Sequence, residues 1–414
     1  MPQINGARLI ADLRRLAEFG AYKTGVHRPT FSPQDIEARH WLAGRFTEAG
    51  LEASIDGIGN VFGRSRAAGR KLLIGSHTES QNHAGWLDGA LGVIYGLEVA
   101  RAFSEDPRTA SLPVEVASWA DEEGHFGSFL GSRSFIGDVT DEEIDKARDH
   151  NDGRDLREAL ASAGLTGRKR ETITPSDYVG YLEAHIEQGD TLDEAGLRLG
   201  VVTGIVGIRQ YRIVFVGEAN HAGTTRMVKR KDAGVALVKL SAAIAERFPQ
   251  ISGPRSVWTT GVVRLEPGQP SIVPGRAEML FQVRDLEAAQ LQRFEDLLLA
   301  LVAEANAAGP CAVTIETLWT VSPVLMSQAF QDALSRAAEK LAPGAVLSMP
   351  SGAGHDAQIL ARKVPAGMLF VPSIKGVSHH WTEDTSEADI VLGCQALADA
   401  AEELALKGAR GDLP

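Results

Sequence analysis

RQYRIVFVG (209–217), KDAGVALVKLSAAIAERF (231–248), SVWTTGVVR (256–264), AEMLFQVRD (277–285), LEAAQLQRFEDLLLALVAEANAAG (286–309) and AVTIETL (312–318) read in turn as strand, helix, strand, strand, helix and strand. That order is β-α-β-β-α-β, the pattern of a ferredoxin-like split βαβ unit. It is complete within residues 208–319, so it reads as a domain inserted into another.

On either side the chain follows a different pattern. Ser32 and Asp35 have capping-box spacing with Pro33 at the first helical position, which predicts a helix running to about Gly50. A strand pair follows in LEASIDGIGNVFGRS (51–65) and RKLLIGS (70–76), then a helix after Asp88 with apolar Leu91, Val93, Ile94 and Leu97. LPVEVASWA (112–120) is another strand, and Asp141 to Thr174 is polar and mixed, as a surface helix and loop would be. Beyond the insert, helix 326–341, strand GMLFV (367–371) and helix 386–406 resume the first pattern. Strands alternating with helices predict an α/β fold with a mainly parallel sheet and flanking helices. The predicted catalytic domain is therefore discontinuous, 1–207 and 320–414, around the insert at 208–319.

The 414 residues exceed what one hydrophobic core usually serves. A net charge of −12 gives no general footprint for nucleic acid or anionic membrane, so an anionic substrate needs a local positive site. The first twenty residues read as an amphipathic helix and not as a signal peptide, and no apolar run approaches the roughly 18 residues of a membrane span. Cys311 and Cys394 stand far apart, which excludes a Cys-based metal site and fits a reducing cytoplasm. The expected partner is a small-molecule substrate, with no nucleic acid and no membrane.

Four clusters could carry chemistry: GSHTESQNHAGWLDGALG (75–92), ADEEGHFGSFLGS (120–132), YLEAHIEQG (181–189) and KGVSHHWTED (375–384). The first, second and fourth follow predicted strands, and sites in open α/β sheets form at the carboxyl ends of strands. Successive side chains near a strand end point in different directions. One of Glu122 and Glu123 can therefore bind a metal while the other faces the nucleophilic water as a base. A metal lowers the pKa of water towards ~7, and a second metal clamps both sides of the displacement. His27, His40, His83, His125 and His150 read as structural or exposed, and His380 is ambiguous beside His379. Chemistry alone leaves a metal site and a solvated acidic surface both open.

Nearly the whole chain resembles one family. The resemblance is carried by GVHRPTFSPQD, ARHWL, EAGLEASIDGIGNVFG, GSHTES, LDGALGV, DEEGHFG, AHIEQG, VGEANHAGTTRM, IVPG, GAGHDA and GVSHHWTED. The chain is similar to the amidohydrolases that include allantoate amidohydrolase, N-carbamoyl-L-amino-acid hydrolase and β-ureidopropionase, within the aminoacylase/carboxypeptidase-like dinuclear metallohydrolases. The resemblance implies one metal held by His77, Asp88 and His379, and a second held by Asp88, Glu123 and His185, so that Asp88 bridges. It implies Glu122 as general base towards a metal-bridging hydroxide, and Glu79 as the partner that orients His77. Zinc suits these ligands, and manganese or cobalt would also fit. The insert would be a lid and dimerisation domain, with His221 reaching across a homodimer to stabilise the tetrahedral oxyanion. Arg284 would hold the substrate carboxylate, with Gln188, His355 and Ser271 lining the pocket.

The sequence departs from that pattern in places. The usual H-x-D is His77-Thr78-Glu79, one methylene longer at the acid. Ser271 replaces an Asn, Ile208 a Gln, Gln282 an Asp and Arg226 a Pro, and His83 stands where a small or flexible residue is usual. Losing an Asn and a Gln removes two hydrogen-bonding groups from the substrate shell, and such losses alter specificity strongly. The implied function is hydrolysis of a linear ureido or amide C–N bond in a small carboxylate-bearing substrate, of N-carbamoyl-amino-acid or allantoate type. The alternatives are an N-acyl-amino-acid hydrolase or dipeptidase on the same site, and a non-catalytic metal- or ligand-binding homologue.

Overall fold

Ser32 accepts the backbone N–H of Asp35, Pro33 fills the first turn, and the helix Pro33–Glu48 follows, closed by Ala49 and Gly50. This start is the one the capping spacing predicts. The stretch after it holds two strands, Glu52–Ile55 and Val61–Arg64, because the chain reverses at Gly57 and Gly59 (φ +95°). The computed structural model describes residues 2–413.

Chain contacts divide at Thr203/Gly204 and Val324/Leu325, slightly outside the 208–319 expected from sequence. In the larger unit the described residues build a nine-stranded mixed sheet. Its four central strands, Ala366–Val371, Tyr178–Ile186, Lys71–His77 and Val114–Trp119, are mutually parallel. Antiparallel strands flank them, with Leu199–Ile205 on one side and Val61–Arg64 and Glu52–Ile55 on the other. The sheet is thus parallel only at its centre. Tyr178–Ile186 and Val114–Trp119 are buried at every position, as central strands covered on both faces must be.

The helix Ala90–Glu105 is buried from Ala90 to Phe103. It packs on the strands Lys71–His77 and Val114–Trp119 and is covered by the helices Gly6–Glu18 and Glu387–Arg410. A helix enclosed in this way shows no polar stripe. Its closest approach to the sheet is at Gly92, where an added Cβ would lie 2.3 Å from the Ala184 carbonyl oxygen and 2.8 Å from Ser76 Cβ.

The smaller unit is a four-stranded antiparallel sheet in the order Val257–Glu266, Arg276–Asp285, Gly207–Val216, Ala312–Val321. The helices Ala233–Arg247 and Ala288–Ala308 pack on it around Tyr211, Ile213, Phe215, Met279, Phe281 and Phe294. Each apolar set alternates along its strand, which puts one face of the sheet in the core.

Gly92→Ala is expected to cost about 1–3 kcal/mol through overpacking against the sheet. Urea unfolding of the variant would measure it, and an unchanged midpoint would contradict the close approach.

Candidate metal centre

The site lies at the carboxyl ends of the central parallel strands. His77 ends Lys71–His77 and His185 stands near the end of Tyr178–Ile186, and these strands are parallel neighbours. Their rings are therefore 6.0 Å apart between centroids. Asp88 precedes the buried helix. Its Oδ1 lies 3.1 Å from His185 Nε2 and 3.7 Å from His77 Nε2. Its Oδ2 lies 3.2 Å from His379 Nε2. Glu123 Oε2 is 3.6 Å from the same His379 nitrogen. Gly89 (φ +64°) brings the chain so close to His77 that a Cβ would lie 2.4 Å from the ring. Only glycine fits such an approach in this conformation.

Two groups able to hold a cation result: His77–Asp88–His185 and Asp88–Glu123–His379. Asp88 belongs to both. The sets expected from sequence exchanged His185 and His379; the structure groups these side chains the other way. His185 joins His77 because their strands are adjacent, whereas His379 arrives on a separate loop on the Glu123 side of Asp88.

The orienting contacts also differ from expectation. His77 Nδ1 faces the Glu79 backbone carbonyl at 3.1 Å, while the Glu79 carboxylate is 3.6 Å away. That carboxylate instead accepts the Glu122 N–H at 2.6 Å and the Arg39 guanidinium at 3.3 Å. The longer acid thus anchors the main chain of the expected base. Glu122 itself directs Oε2 to within 3.5 Å of His77 Nε2. Asp121 (φ +57°) supports this turn by accepting N–H groups from His125, Phe126 and Gly127 and the Thr30 hydroxyl. Gln81 donates its backbone and side-chain N–H groups to the Glu123 carboxylate.

Gln188 Nε2 donates to Asp88 Oδ2 at 3.0 Å and to Ser378 Oγ at 3.2 Å. His355 is buried with its ring 4.5 Å from that of His185, and its Nε2 meets Ser351 Oγ at 2.9 Å. It thus packs edge-on behind the His185 ring. His83 is exposed (φ +55°) and stacks on His27 at 4.5 Å.

His221, Ser271 and Arg284 belong to the smaller unit. His221 is exposed, and its Nδ1 accepts the N–H groups of Gly223 and Thr224. A neutral imidazole so held carries its proton on Nε2. The strand Asn220–His221 pairs with Ile272–Val273, which sets the exposed Ser271 beside the same turn. Arg284 Nε donates to Gln282 Oε1 at 2.8 Å, and Gln282 Nε2 donates to Gln210. Buried Ile208 lies opposite Arg284 in the strand pair, and Arg226 is exposed.

Burial dominates the electrostatics. It pushes Glu122 well above the usual carboxylate range, with Glu123, Asp356 and Asp88 adding to the effect. Burial likewise moves Glu123 to about 8, Glu383 to about 8 and Glu183 to about 7. It lowers His77 to about 4. Burial also disfavours the Asp88 anion, yet hydrogen bonds from His185 and His379 outweigh it and hold Asp88 well below its usual range. His185 rises to about 9 because the Asp88 contact exceeds its burial, and His379 rises to about 9 through the same carboxylate. A donor set of imidazoles and carboxylates, with protons held where repulsion would otherwise act, fits a pair of divalent cations.

Residues 74–403 match the model of peptidase family M20/M25/M40. The chain belongs to this family. It is 34% identical to the N-carbamoyl-L-amino acid amidohydrolase of Geobacillus stearothermophilus, over 97% of this chain and 99% of that one. It is 32% identical to the allantoate amidohydrolase of Bacillus subtilis, over 94% and 95% of the two chains. Among solved structures, an amidase of the hydantoinase/carbamoylase family from Burkholderia phymatum superposes with a TM-score of 0.91. That likeness has 50% identity and covers 99% of each chain.

Sequence reading overlooked Glu383, which lies in the same short segment as His379 and is 1% exposed. Its signal is a carboxylate four residues from His379, a candidate ligand. It also overlooked Arg39, bound to Asp35 at 2.8 Å and to the Gly59 carbonyl at 2.6 Å.

The metal-free protein should lose stability between about pH 6.5 and 8. Glu123, Glu383, His185 and His379 all have folded values raised above their unfolded ones, so the folded state holds more protons in this window and loses that advantage as pH rises. His77, lowered to about 4, acts only below that window. Urea midpoints in the presence of chelator would show the decline, and adding divalent cation should flatten it. A level or rising midpoint without metal would contradict the assignment.

Proposed function

We propose that the protein hydrolyses a linear ureido or amide C–N bond in a small carboxylate-bearing substrate, of N-carbamoyl-amino-acid or allantoate type. The observation that carries this reading is the pair of ligand groups sharing Asp88, with the Glu122 carboxylate 3.5 Å from His77 Nε2. The names of the similar amidohydrolases support the substrate class.

Two divalent cations, zinc before manganese or cobalt, would be held by His77, Asp88 and His185 and by Asp88, Glu123 and His379. When bound, they supply Lewis acidity, bringing a water's pKa towards ~7 and stabilising negative charge on the attacked carbonyl. Glu122 takes the proton of the attacking water and passes it to the leaving nitrogen. Burial that favours the protonated carboxyl suits it to the second of these transfers. For an N-carbamoyl substrate, addition of one water releases the amine, carbon dioxide and ammonia. Arg284 binds the substrate carboxylate through its planar fork, its Nε oriented by Gln282.

The working form is a homodimer in which His221 of one copy donates its Nε2–H to the oxyanion in the other. Exposed Val263 (52%) and Leu265 (43%) on the edge strand Val257–Glu266, with Val238 (64%) on the helix Ala233–Arg247, support a face that a second copy covers. Two free, buried cysteines fit a cytoplasmic site of action. Ile208, buried opposite Arg284, favours a second reading, cleavage of an N-acyl amino acid or dipeptide, because an apolar side chain stands there where a glutamine is usual.

Glu122→Gln is expected to lower kcat about 10²- to 10⁴-fold in metal-replete protein, and full activity would exclude it as base. Ammonia and free amine measured together separate the substrates: ureido cleavage releases both, and acyl cleavage releases amine alone.

Mixing inactive Glu122→Gln and His221→Asn subunits should restore turnover, since the mixed dimer has one site with both groups intact. No restoration under subunit exchange, or full activity in a strict monomer, would refute the exchange of His221.

A further inference from the structure

Glu383 has no part in the chemistry above, yet its carboxylate joins two loops of the site. Oε1 accepts the backbone N–H of Leu87 at 3.2 Å and of Asp88 at 3.0 Å. Oε2 accepts the Ser378 hydroxyl at 3.1 Å. The Glu383 N–H donates to the His380 carbonyl at 2.9 Å. Both neighbours of His379 are thus tied to Glu383, one through the side chain and one through the main chain. His379 has φ +54°, a conformation that a non-glycine residue keeps only where its surroundings over-determine it.

Ser378 adds a second constraint. Its single hydroxyl proton faces two acceptors, Glu383 Oε2 at 3.1 Å and Asp88 Oδ2 at 3.3 Å. Gln188 already donates to the Ser378 oxygen. Asp88 Oδ2 already accepts from Gln188, so a Ser378 proton directed to Glu383 spares that oxygen a second donor and keeps its remaining lone pair free to ligate.

We propose that Glu383 is a positioning residue for the Asp88–Glu123–His379 cation site, fixing the main chain of both loops and drawing the Ser378 proton away from Asp88. The proposal rests on reading the two ligand groups as cation sites. Gly85 is the complementary half of the device. A Cβ there would lie 1.9 Å from Glu383 Oε1 and 2.0 Å from Cδ, so any larger residue displaces the carboxylate.

Three variants separate the contributions. In Glu383→Gln the amide oxygen still accepts the Leu87 and Asp88 N–H groups, but the NH2 donates to Ser378 and turns its proton onto Asp88. Glu383→Ala removes both functions. Gly85→Ala keeps the charge and moves it. Manganese(II) is titrated into the metal-free full-length protein, with binding followed by calorimetry and the spin state by EPR. Wild type should take up two ions with a spin-coupled spectrum. Glu383→Gln and Gly85→Ala should weaken the second ion about 10- to 100-fold. They should also replace the coupled signal by that of an isolated ion, and lower kcat with KM little changed. Metal-free Glu383→Gln should melt as wild type does. Should Glu383→Ala fail to fold, the other two variants carry the test.

Two coupled ions bound at wild-type affinity in both Glu383→Gln and Gly85→Ala would overturn the positioning role. So would a lowered melting temperature with unchanged metal binding, which marks a merely structural residue. Wild-type protein that takes up no manganese, zinc or cobalt would instead overturn the cation reading itself.

Discussion

Asp88 is held from both sides, by His185 at one oxygen and His379 at the other, and the rest of the site is arranged around that double contact. Its position is inherited from the core. The residue directly precedes Gly89, whose positive φ both admits the His77 ring and starts the fully buried helix Ala90–Glu105. Moving Asp88 would mean moving that helix against the sheet, where Gly92 already leaves no room for a methyl group. Close-packed interiors resist such shifts, so the carboxylate is fixed before any ligand arrives.

The same rigidity creates an electrostatic problem. Glu79, Asp88, Glu122, Glu123 and Glu383 are gathered with little access to water. Buried like charges are tolerated only when paired, protonated or bound to metal. Arg39 answers for Glu79 and Asp35. The others have only histidines and hydrogen bonds, so the protein alone must retain protons that cations would replace. Folding and ligand binding are therefore coupled through the same carboxylates.

Much of this was legible in the sequence because each cluster pairs His or acid with glycine or a preceding apolar run. The insert was legible for a similar reason: its six elements follow one another with clear periodicity. What the sequence could not carry was adjacency. Whether His77 clusters with His185 or His379 depends on Lys71–His77 lying beside Tyr178–Ile186, a pairing between distant segments. The strands Leu199–Ile205 and Val346–Ser351 escaped because no clear alternation marks them and their pairing within the sheet is tertiary. Glu79 adds a contact that spacing does not show: its carboxylate accepts the Glu122 N–H and lies 3.6 Å from His77 Nδ1, while its backbone carbonyl lies nearer that nitrogen.

The departures from the family pattern fall unevenly, and this separates reaction from specificity. The two ligand groups and Glu122 lie in one unit, on strand ends and turns locked by Asp121, Glu79 and Gln81. Ile208, Arg226, Ser271 and Gln282 lie in the other. A change such as Gln282 alters what holds the Arg284 guanidinium, not where Asp88 stands. Substitutions in the smaller unit therefore leave the His77, Asp88, Glu123, His185 and His379 cluster of the larger unit unchanged in composition. Buried Ile208 opposite Arg284 sets an apolar side chain beside that guanidinium, where a glutamine would have offered hydrogen bonds.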